Sequence, residues 1–366
     1  MNKKIILLYP YFNGISGAYN RYLLLEKLIK RSNLRVKLII LKDKSYSSIF
    51  SKTIYKLKKF LKVEFLILYY SIFKNNYFIT DFNPSIIALF SKNVFIQIHD
   101  VSWENKSLAR HSIFSYVIFK FFLKYYLNIL TVSKTSMLSI IKVSGRKKRI
   151  FFLYNSVNDN YIKESNNISI LKDPFESNKN LKRINSSLPN ILYIATLTPR
   201  KCHLDLLEAL SQTDVLFNVN LIGYPYDKKI LDLIQDKRTP GGNYIKSNIN
   251  YFPELSQKEL CNLLVYSSAY ISTSLNEGFG IPVLEAQLYN IPLILRDINI
   301  NRELFPKAKF FKSTPQLVNL LNDIVNITRF EIEERKRSLS RINEDNLGVK
   351  FNYSNLSNKL KKIILN

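Results

Sequence analysis

Ser272-Thr-Ser-Leu-Asn-Glu277-Gly278-Phe279-Gly280-Ile281-Pro-Val-Leu-Glu285-Ala286 decides how the rest of the chain is read. Ala269–Thr273, which leads into it, is an apolar run of strand length, and Pro282–Tyr289 has helical spacing. An acid and two glycines lie between them. Strand, glycine loop and helix in this order make half of a βαβ unit, with the loop at the carboxyl end of the strand, where open parallel sheets bind ligands. Glycines let the backbone approach a ligand closely, and N–H groups at a helix start suit phosphate. Glu277 falls at the strand end and Glu285 about one turn into the helix. The same spacing also fits an acid held near a helix N-terminus by the dipole alone.

The same alternation extends on both sides. Upstream it predicts strands at Ile191–Ala195, Phe217–Ile222 and Ile249–Phe252, separated by helices at Leu204–Ser211, Asp227–Gln235 and Gln257–Val265. Downstream it predicts a strand at Pro292–Leu295. The first part of the chain repeats the rhythm, with strands at Ile5–Tyr9, Val36–Leu41, Phe78–Ile79, Val94–Ile98, Tyr126–Val132 and Ile150–Tyr154 and helices at Tyr19–Arg31 and Pro84–Ser91. Between Asn155 and Pro189 the chain turns to Asn, Ser, Lys and Asp. The expected organisation is an α/β domain over 1–160, a linker over 161–188 and a second α/β domain over 189–348. Two parallel sheets facing each other would leave one interdomain cleft, so residues that follow strands are the ones to weigh.

A chain of 366 residues, 46% apolar, has material for two cores. Its two cysteines, Cys202 and Cys261, are too few for a disulfide framework and point to a reducing, cytoplasmic setting. The opening run Ile5–Leu8 is too short for a signal segment, and Ser112–Val132 is broken by Lys120 and Lys124, so no membrane span is expected. Net charge is +26, and residues 1–150 carry most of it, with 27 Lys/Arg against 6 Asp/Glu. Such a field favours a polyanion or an anionic membrane face; a general codon bias toward lysine is the plainer alternative, but it should not load one half so selectively.

Two further constellations follow strands. Ala195-Thr196-Leu-Thr-Pro199-Arg200-Lys201-Cys-His203 sets two cations where a helix begins, which would reinforce a diphosphate site or simply form a solvated turn. Gln97-Ile-His99-Asp100 places a histidine where it could bond a sugar or carry a proton.

Taken together and in order, these segments resemble family 4 of the retaining glycosyltransferases, in particular its mannosyltransferase-like members. The E-x7-E pattern matches at Glu277 and Glu285, ATLTPRKCHLDLLEAL resembles the family's phosphate-binding segment, and Arg296-Asp-Ile-Asn-Ile-Asn-Arg302-Glu303 resembles RDIPVxRE. Asn155-Ser-Val-Asn158 resembles the NGVD that closes the first domain, and Gly14-Ile-Ser-Gly17 the glycine loop after the first strand. Phe351-Asn-Tyr353 and the residues after it resemble a final helix, 349–366, that crosses back to the first domain. Ala195 stands where the family usually has Gly, and Thr196 where it often has Arg.

The resemblance implies the GT-B fold of two facing Rossmann-like domains, the first binding an acceptor and the second a nucleotide sugar. It implies that Lys201, with Arg200 and Thr196 beside it, binds the donor diphosphate, and that Glu285 holds the ribose hydroxyls. Glu277 would contact the transferred sugar, and the loop Gly278, Phe279, Gly280 and Ile281 would set backbone N–H groups against diphosphate or sugar. Gly17 would let the first loop approach the donor, and His99 would contact the sugar from the other wall. Glu277 and His99 are thus the expected catalytic residues. Retention of anomeric configuration is implied too, with GDP-mannose slightly favoured as donor and a UDP-sugar next.

No Asp-x-Asp pair offers a metal cradle, so cations and helix starts are expected to neutralise the leaving diphosphate without a metal or cofactor. The acceptor is expected to be a glycan or lipid-linked glycan of surface polysaccharide synthesis, met by the basic first domain. Tyr55–Lys62 and Phe119–Tyr126 mix Lys with aromatics at helical spacing, as helices lying in an anionic inner-membrane face do; the aromatics would equally serve as core. A nucleic-acid-binding protein would leave Glu277 and Glu285 without a purpose, since acids repel phosphate backbones. A GT-B enzyme of other chemistry, such as a nucleotide-sugar epimerase, would need no acceptor surface.

Overall fold

Ile5, Ile6, Leu7 and Leu8 are all buried, as a strand covered on both faces requires. They belong to β1 (Lys4–Phe12), which pairs in parallel with β2 (Arg35–Lys42) and β3 (Tyr77–Asp81). With β4 (Val94–Ile98), β5 (Asn128–Thr131) and β6 (Ile150–Phe152) they form one parallel sheet in the order β2-β1-β3-β4-β5-β6. Parallel neighbours need crossovers, and helices provide them: α1 (Gly17–Arg31), α2 (Ile49–Ile67) with a π-helical turn at Leu68–Phe73, α3 (Ile87–Phe90), α4 (Ile113–Tyr125) and α5 (Lys134–Ser144). The structure is a computed structural model that describes residues 4–12, 17–42, 49–82, 84–99, 113–146, 149–158, 161, 181–182, 184, 188–324, 334, 348 and 350–365.

The second sheet is also parallel. It holds β7 (Asn190–Ile194), β8 (Asn218–Ile222), β9 (Asn248–Phe252), β10 (Ala269–Ser272), β11 (Leu293–Arg296) and β12 (Lys309–Phe311), in the order β12-β11-β10-β7-β8-β9. Its helices are α6 (His203–Ser211), α7 (Lys228–Gln235), α8 (Gln257–Tyr266), α9 (Ile281–Leu288), α10 (Asn299–Leu304) and α11 (Thr314–Asp323). Caps set several of their starts. Asp227 accepts from the N–H groups of Lys229 and Ile230, and Ser256 with Glu259 closes a capping box at α8. The short helix expected over 84–91 is narrower, at Ile87–Phe90, and β12 and α11 were not foreseen.

The chain divides into two units, residues 1–156 with 349–366, and residues 157–348. In the first, a last helix, α12 (Tyr353–Leu365), lays Tyr353, Leu356, Leu360 and Ile364 on the cluster that contains Tyr22, Leu25, Leu28 and Ile29 of α1. Ser357 Oγ donates to the Leu28 carbonyl at 2.8 Å, and Lys27 Nζ sits 3.9 Å above the Tyr353 ring. The buried faces of α1 and α12 recur every three or four residues, which is what one core-facing stripe demands.

Candidate active site

In the second unit the strand ends of β7 and β10 lie side by side, and both carry expected site residues. After β7 the chain makes a single 3-10 turn at Pro199–Lys201, then Cys202 takes a left-handed conformation (φ 49°) before α6 starts. The Lys201 carbonyl is held by two hydroxyls, Tyr193 at 2.6 Å and Thr273 at 3.0 Å. Arg200 donates to the Asn276 carbonyl at 2.8 Å, and the Leu275 N–H donates back to the Arg200 carbonyl at 3.1 Å. These bonds fasten the cation-bearing turn to the acid-bearing loop.

The two loops meet chemically at Lys201 Nζ and Glu277 Oε1, 2.5 Å apart, with both side chains only 13% exposed. Burial opposes ionisation of Glu277, but the Lys201 charge and hydrogen bond, a bond from Ser274 and the charge of Arg200 outweigh it and hold its carboxyl below the ordinary value. His203, the first residue of α6, is buried and stacks on Tyr193 at 4.7 Å. Burial first, then the Lys201 charge, push it down to about 4, so it adds no cation to the loop. Arg296 donates to the Thr273 carbonyl at 2.7 Å and also pairs with Asp205 of α6, which gives the RDIN segment a bracing part.

Gly280 caps α9 in the left-handed region (φ 84°), and Ile281 is the helix's first residue, preceding Pro282. Gly278 and Ile281 are half-buried and Phe279 is buried. Glu285 lies in the second turn, buried, and faces Tyr161. Burial raises its carboxyl to about 8, partly offset by the Tyr161 hydroxyl bond. Burial first, then the Glu285 charge, raise Tyr161 in turn. Tyr289 donates its hydroxyl to the Tyr161 carbonyl at 2.9 Å and keeps that segment against α9. Glu277 and Glu285 are therefore opposites: one an ion paired with a lysine, the other a carboxyl kept neutral by its surroundings.

Thr196 is half-buried beside Ala195, and a residue the sequence reading passed over explains the local spacing. Gly223, after β8, has φ 151°, and a Cβ there would stand 2.2 Å from the Ala195 carbonyl oxygen and 2.9 Å from the Thr196 nitrogen. The close packing that a glycine at 195 would permit comes instead from a glycine on the neighbouring loop. With nine glycines in the chain, its place directly after a strand was the available signal.

In the first unit, Gly17 opens α1, while residues 13–16 of the expected glycine loop and Asp100 lie outside the described residues. His99 follows β4, and its side chain is 31% exposed. Its Nε2 is 3.0 Å from Oδ1 of Asp81, at the end of β3, and 3.3 Å from Gln97 Nε2. Asp81 had not been singled out, because it lies 18 residues upstream on another strand. Arg21 is fully buried behind this group and donates to Gln97 Oε1, Asn155 Oδ1 and the carbonyls of Leu153 and Tyr154. Among the described residues no cluster of three or more His, Cys, Asp or Glu is arranged to hold a metal ion.

Residues 174–338 match the family described as glycosyl transferases group 1. The serotype-specific mannosyltransferase WbdA of Escherichia coli is 28% identical over 134 residues, which covers 35% of this chain and 16% of that protein. The O-antigen chain mannosyltransferase RfbU of Salmonella typhimurium is 26% identical over 281 residues, 72% of this chain and 67% of that one. Among solved structures, a glycosyltransferase from Rickettsia africae superposes with a TM-score of 0.72 at 17% identity, covering 100% of this chain and 98% of that one. Anabaena HepE, solved with UDP and glucose, gives 0.68 at 13%, covering 98% of each chain. Two parallel-sheet units of this kind are the GT-B architecture, and the chain is a GT-B-fold protein related to glycosyl transferases group 1 and homologous, at low identity, to bacterial mannosyltransferases.

Proposed function

We propose that the protein is a retaining glycosyltransferase that moves a hexose from a nucleotide sugar to a glycan or lipid-linked glycan acceptor. The observation that carries this is the Lys201–Glu277 pair, fixed at two adjacent strand ends, with buried Glu285 on the helix that follows. A leaving diphosphate needs positive charge and oriented N–H groups; Lys201, Arg200 and the start of α9 at Gly280 and Ile281 offer both. Thr196 and the half-buried loop at Gly278 and Phe279 would border the same ligand. Glu285 has the depth and hydrogen-bonding capacity to take ribose hydroxyls. Glu277 would meet the transferred sugar once the diphosphate competes for Lys201.

Retention follows from a same-face departure and attack, with the leaving phosphate taking the acceptor proton and no covalent sugar–enzyme bond. The mannosyltransferase names of the sequence relatives favour GDP-mannose as donor and O-antigen-like surface polysaccharide as the product class. A UDP-sugar is next in line. The lysine-rich surface of the first unit supports a place at the inner face of a membrane, where a lipid-linked acceptor would be presented.

Thermal unfolding with a panel of nucleotide sugars tests the donor site. A ligand at about 100 times its dissociation constant stabilises by about 2.7 kcal/mol. One GDP- or UDP-sugar should raise the midpoint in the wild type and not in Lys201→Ala. Glu277→Ala should bind that donor and turn it over at a small fraction of the normal rate; near-normal turnover would remove its role.

A further inference from the structure

Asp81 Oδ1 and the Gln97 amino nitrogen both lie by His99 Nε2, at 3.0 and 3.3 Å. Arg21 has only donors to offer, so its Nε bond of 3.1 Å to Gln97 fixes Oε1 as the amide end facing inward. The Gln97 amino group must then point the other way, and it does, 3.1 Å from Asp81 Oδ1. Tyr22 brings its hydroxyl to the same oxygen at 3.0 Å. Burial, the Asp81 charge and this bond all raise Tyr22, which keeps the hydroxyl proton in place as a donor. Oδ1 of Asp81 is thus an acceptor, and its 3.0 Å approach to His99 Nε2, shorter than the 3.3 Å of the Gln97 amino nitrogen, calls for a hydrogen on Nε2 donated to the carboxylate. Among the described residues nothing bonds His99 Nδ1.

We infer that Asp81 is a positioning residue for His99: it keeps hydrogen on Nε2 and turns the ring so that Nδ1 is the nitrogen through which the neutral imidazole accepts from a sugar hydroxyl. The inference rests on the reading of His99 as a sugar contact. It adds that the hydroxyl must donate to His99, so the ring selects a sugar with a free hydroxyl at that position and rejects one whose hydroxyl is alkylated or missing. Arg21 and Gln97 are the backing of the device. Arg21 is anchored by the carbonyls of Leu153 and Tyr154 at 2.8 and 2.9 Å, and through Gln97 it fixes the oxygen that fixes the ring. Asp81 comes from β3, Gln97 and His99 from β4 and its end, and Arg21 from α1, so three elements converge on one imidazole.

Nitrogen-15 spectra of the histidine side chains read the tautomer directly, and with three histidines in the chain the signals are separable by a His99→Gln control. The wild type should show His99 with hydrogen on Nε2 and none on Nδ1, and Asp81→Ala should show exchange between forms. Hydrogen on Nδ1 in the wild type, or an Asp81→Ala spectrum identical to it, overturns the inference. In kinetics, Asp81→Ala should lower kcat roughly tenfold while donor KM moves less than about twofold. Adding it to His99→Ala should lower kcat no further, since a residue acting only through His99 has nothing left to act on. Full additivity overturns the inference as well. Asp81→Asn keeps an acceptor oxygen for all three donors and serves where the alanine variant does not fold; its effect should also vanish in the His99→Ala background. A wild type that turns over no nucleotide sugar defeats the glycosyltransferase reading, while the spectra still decide the role of Asp81.

Discussion

Lys201 and Glu277 hold each other at 2.5 Å, and that pairing has consequences for stability as well as binding. Removing one member of a largely buried ion pair leaves an unpaired charge and costs about 3 kcal/mol or somewhat more, whereas replacing both is close to neutral. Urea unfolding should therefore show Lys201→Met destabilised by about that amount and Lys201→Met/Glu277→Gln restored toward the wild type, with the donor response absent from both. Glu285 makes a pH-dependent prediction. Its carboxyl is raised from 4.5 to about 8, so between those values the native state keeps a proton that the unfolded chain has released. Stability from this group is full below about pH 4.5, declines as pH rises, and is gone above about pH 8. Glu285→Gln removes the titration, so its melting midpoint should gain on the wild type steadily from pH 5.5 to 8.5; a constant difference would mean Glu285 is already ionised. The paired acids were legible in the sequence because glycines and a strand flank them within one short segment. Their contrast in charge was not, because it is set by the depth of burial at Glu285 and by the pairing of Glu277 with Lys201, 76 residues upstream. His99 was legible because it directly follows an apolar run; Asp81 also ends a strand, but that this strand lies beside β4 depends on sheet order, which the local pattern does not carry.

The parallel strands read well from their apolar runs, most within a residue or two at either end, because strands buried on both faces leave little room for polar residues. What the runs could not convey is the packing of loops at the sheet's carboxyl edge. Gly223 is the clearest case, for its value lies in the backbone of Ala195 and Thr196, just after the neighbouring strand β7. Gly223→Ala would force a Cβ into a carbonyl oxygen 2.2 Å away at a φ that L side chains rarely adopt. The loop at 195–196 must move, and the turn bearing Arg200 and Lys201 follows it. The expected result is a lower melting temperature together with at least a tenfold weaker donor response; Gly242→Ala, where a Cβ meets nothing within 4 Å, serves as a control for left-handed strain alone. Donor affinity unchanged in Gly223→Ala would show that the loop's position does not govern the cations. A second feature of this sheet also escaped the apolar pattern. Asn190, Asn220 and Asn250 sit buried on neighbouring strands, and Asn250 donates to Asn220 at 3.2 Å. Polar residues at core positions of β7, β8 and β9 weaken a hydrophobic signal while satisfying one another across the ladder.

The distribution of charge and apolar surface over the first unit gives the reading of an acceptor at a membrane its physical content. Sequence spacing left two fates open for the aromatics near Lys120 and Lys124, and the structure divides them. Phe119, Leu123 and Tyr126 are buried, while Phe121 and Tyr125 remain outside with both lysines. On α2 the outward face is more telling. Leu57, Leu61 and Phe65 recur every fourth residue, each more than half exposed, and Lys56, Lys58 and Lys62 flank them. Phe73 on the π-helical turn after α2 and Phe90 on α3 are also exposed, 72% and 78%. No helix among the described residues is long and apolar enough to cross a bilayer, and the proposed membrane placement would use these exposed rings and lysines in the headgroup region. Lysines near an anionic surface contribute about 1 kcal/mol each. Replacing Lys56, Lys58 and Lys62 by Gln should therefore weaken binding to phosphatidylserine-containing vesicles on the order of 100-fold, the equivalent of about 3 kcal/mol. Leu57→Gln/Leu61→Gln/Phe65→Gln should weaken it further in high salt, where charge is screened and apolar burial is what remains. Both variants should keep full activity toward a water-soluble acceptor, because neither touches Lys201, Glu277 or His99. A wild-type protein that stays in the supernatant with anionic vesicles at low salt would separate the basic surface from any membrane and leave a soluble glycan as the acceptor to seek.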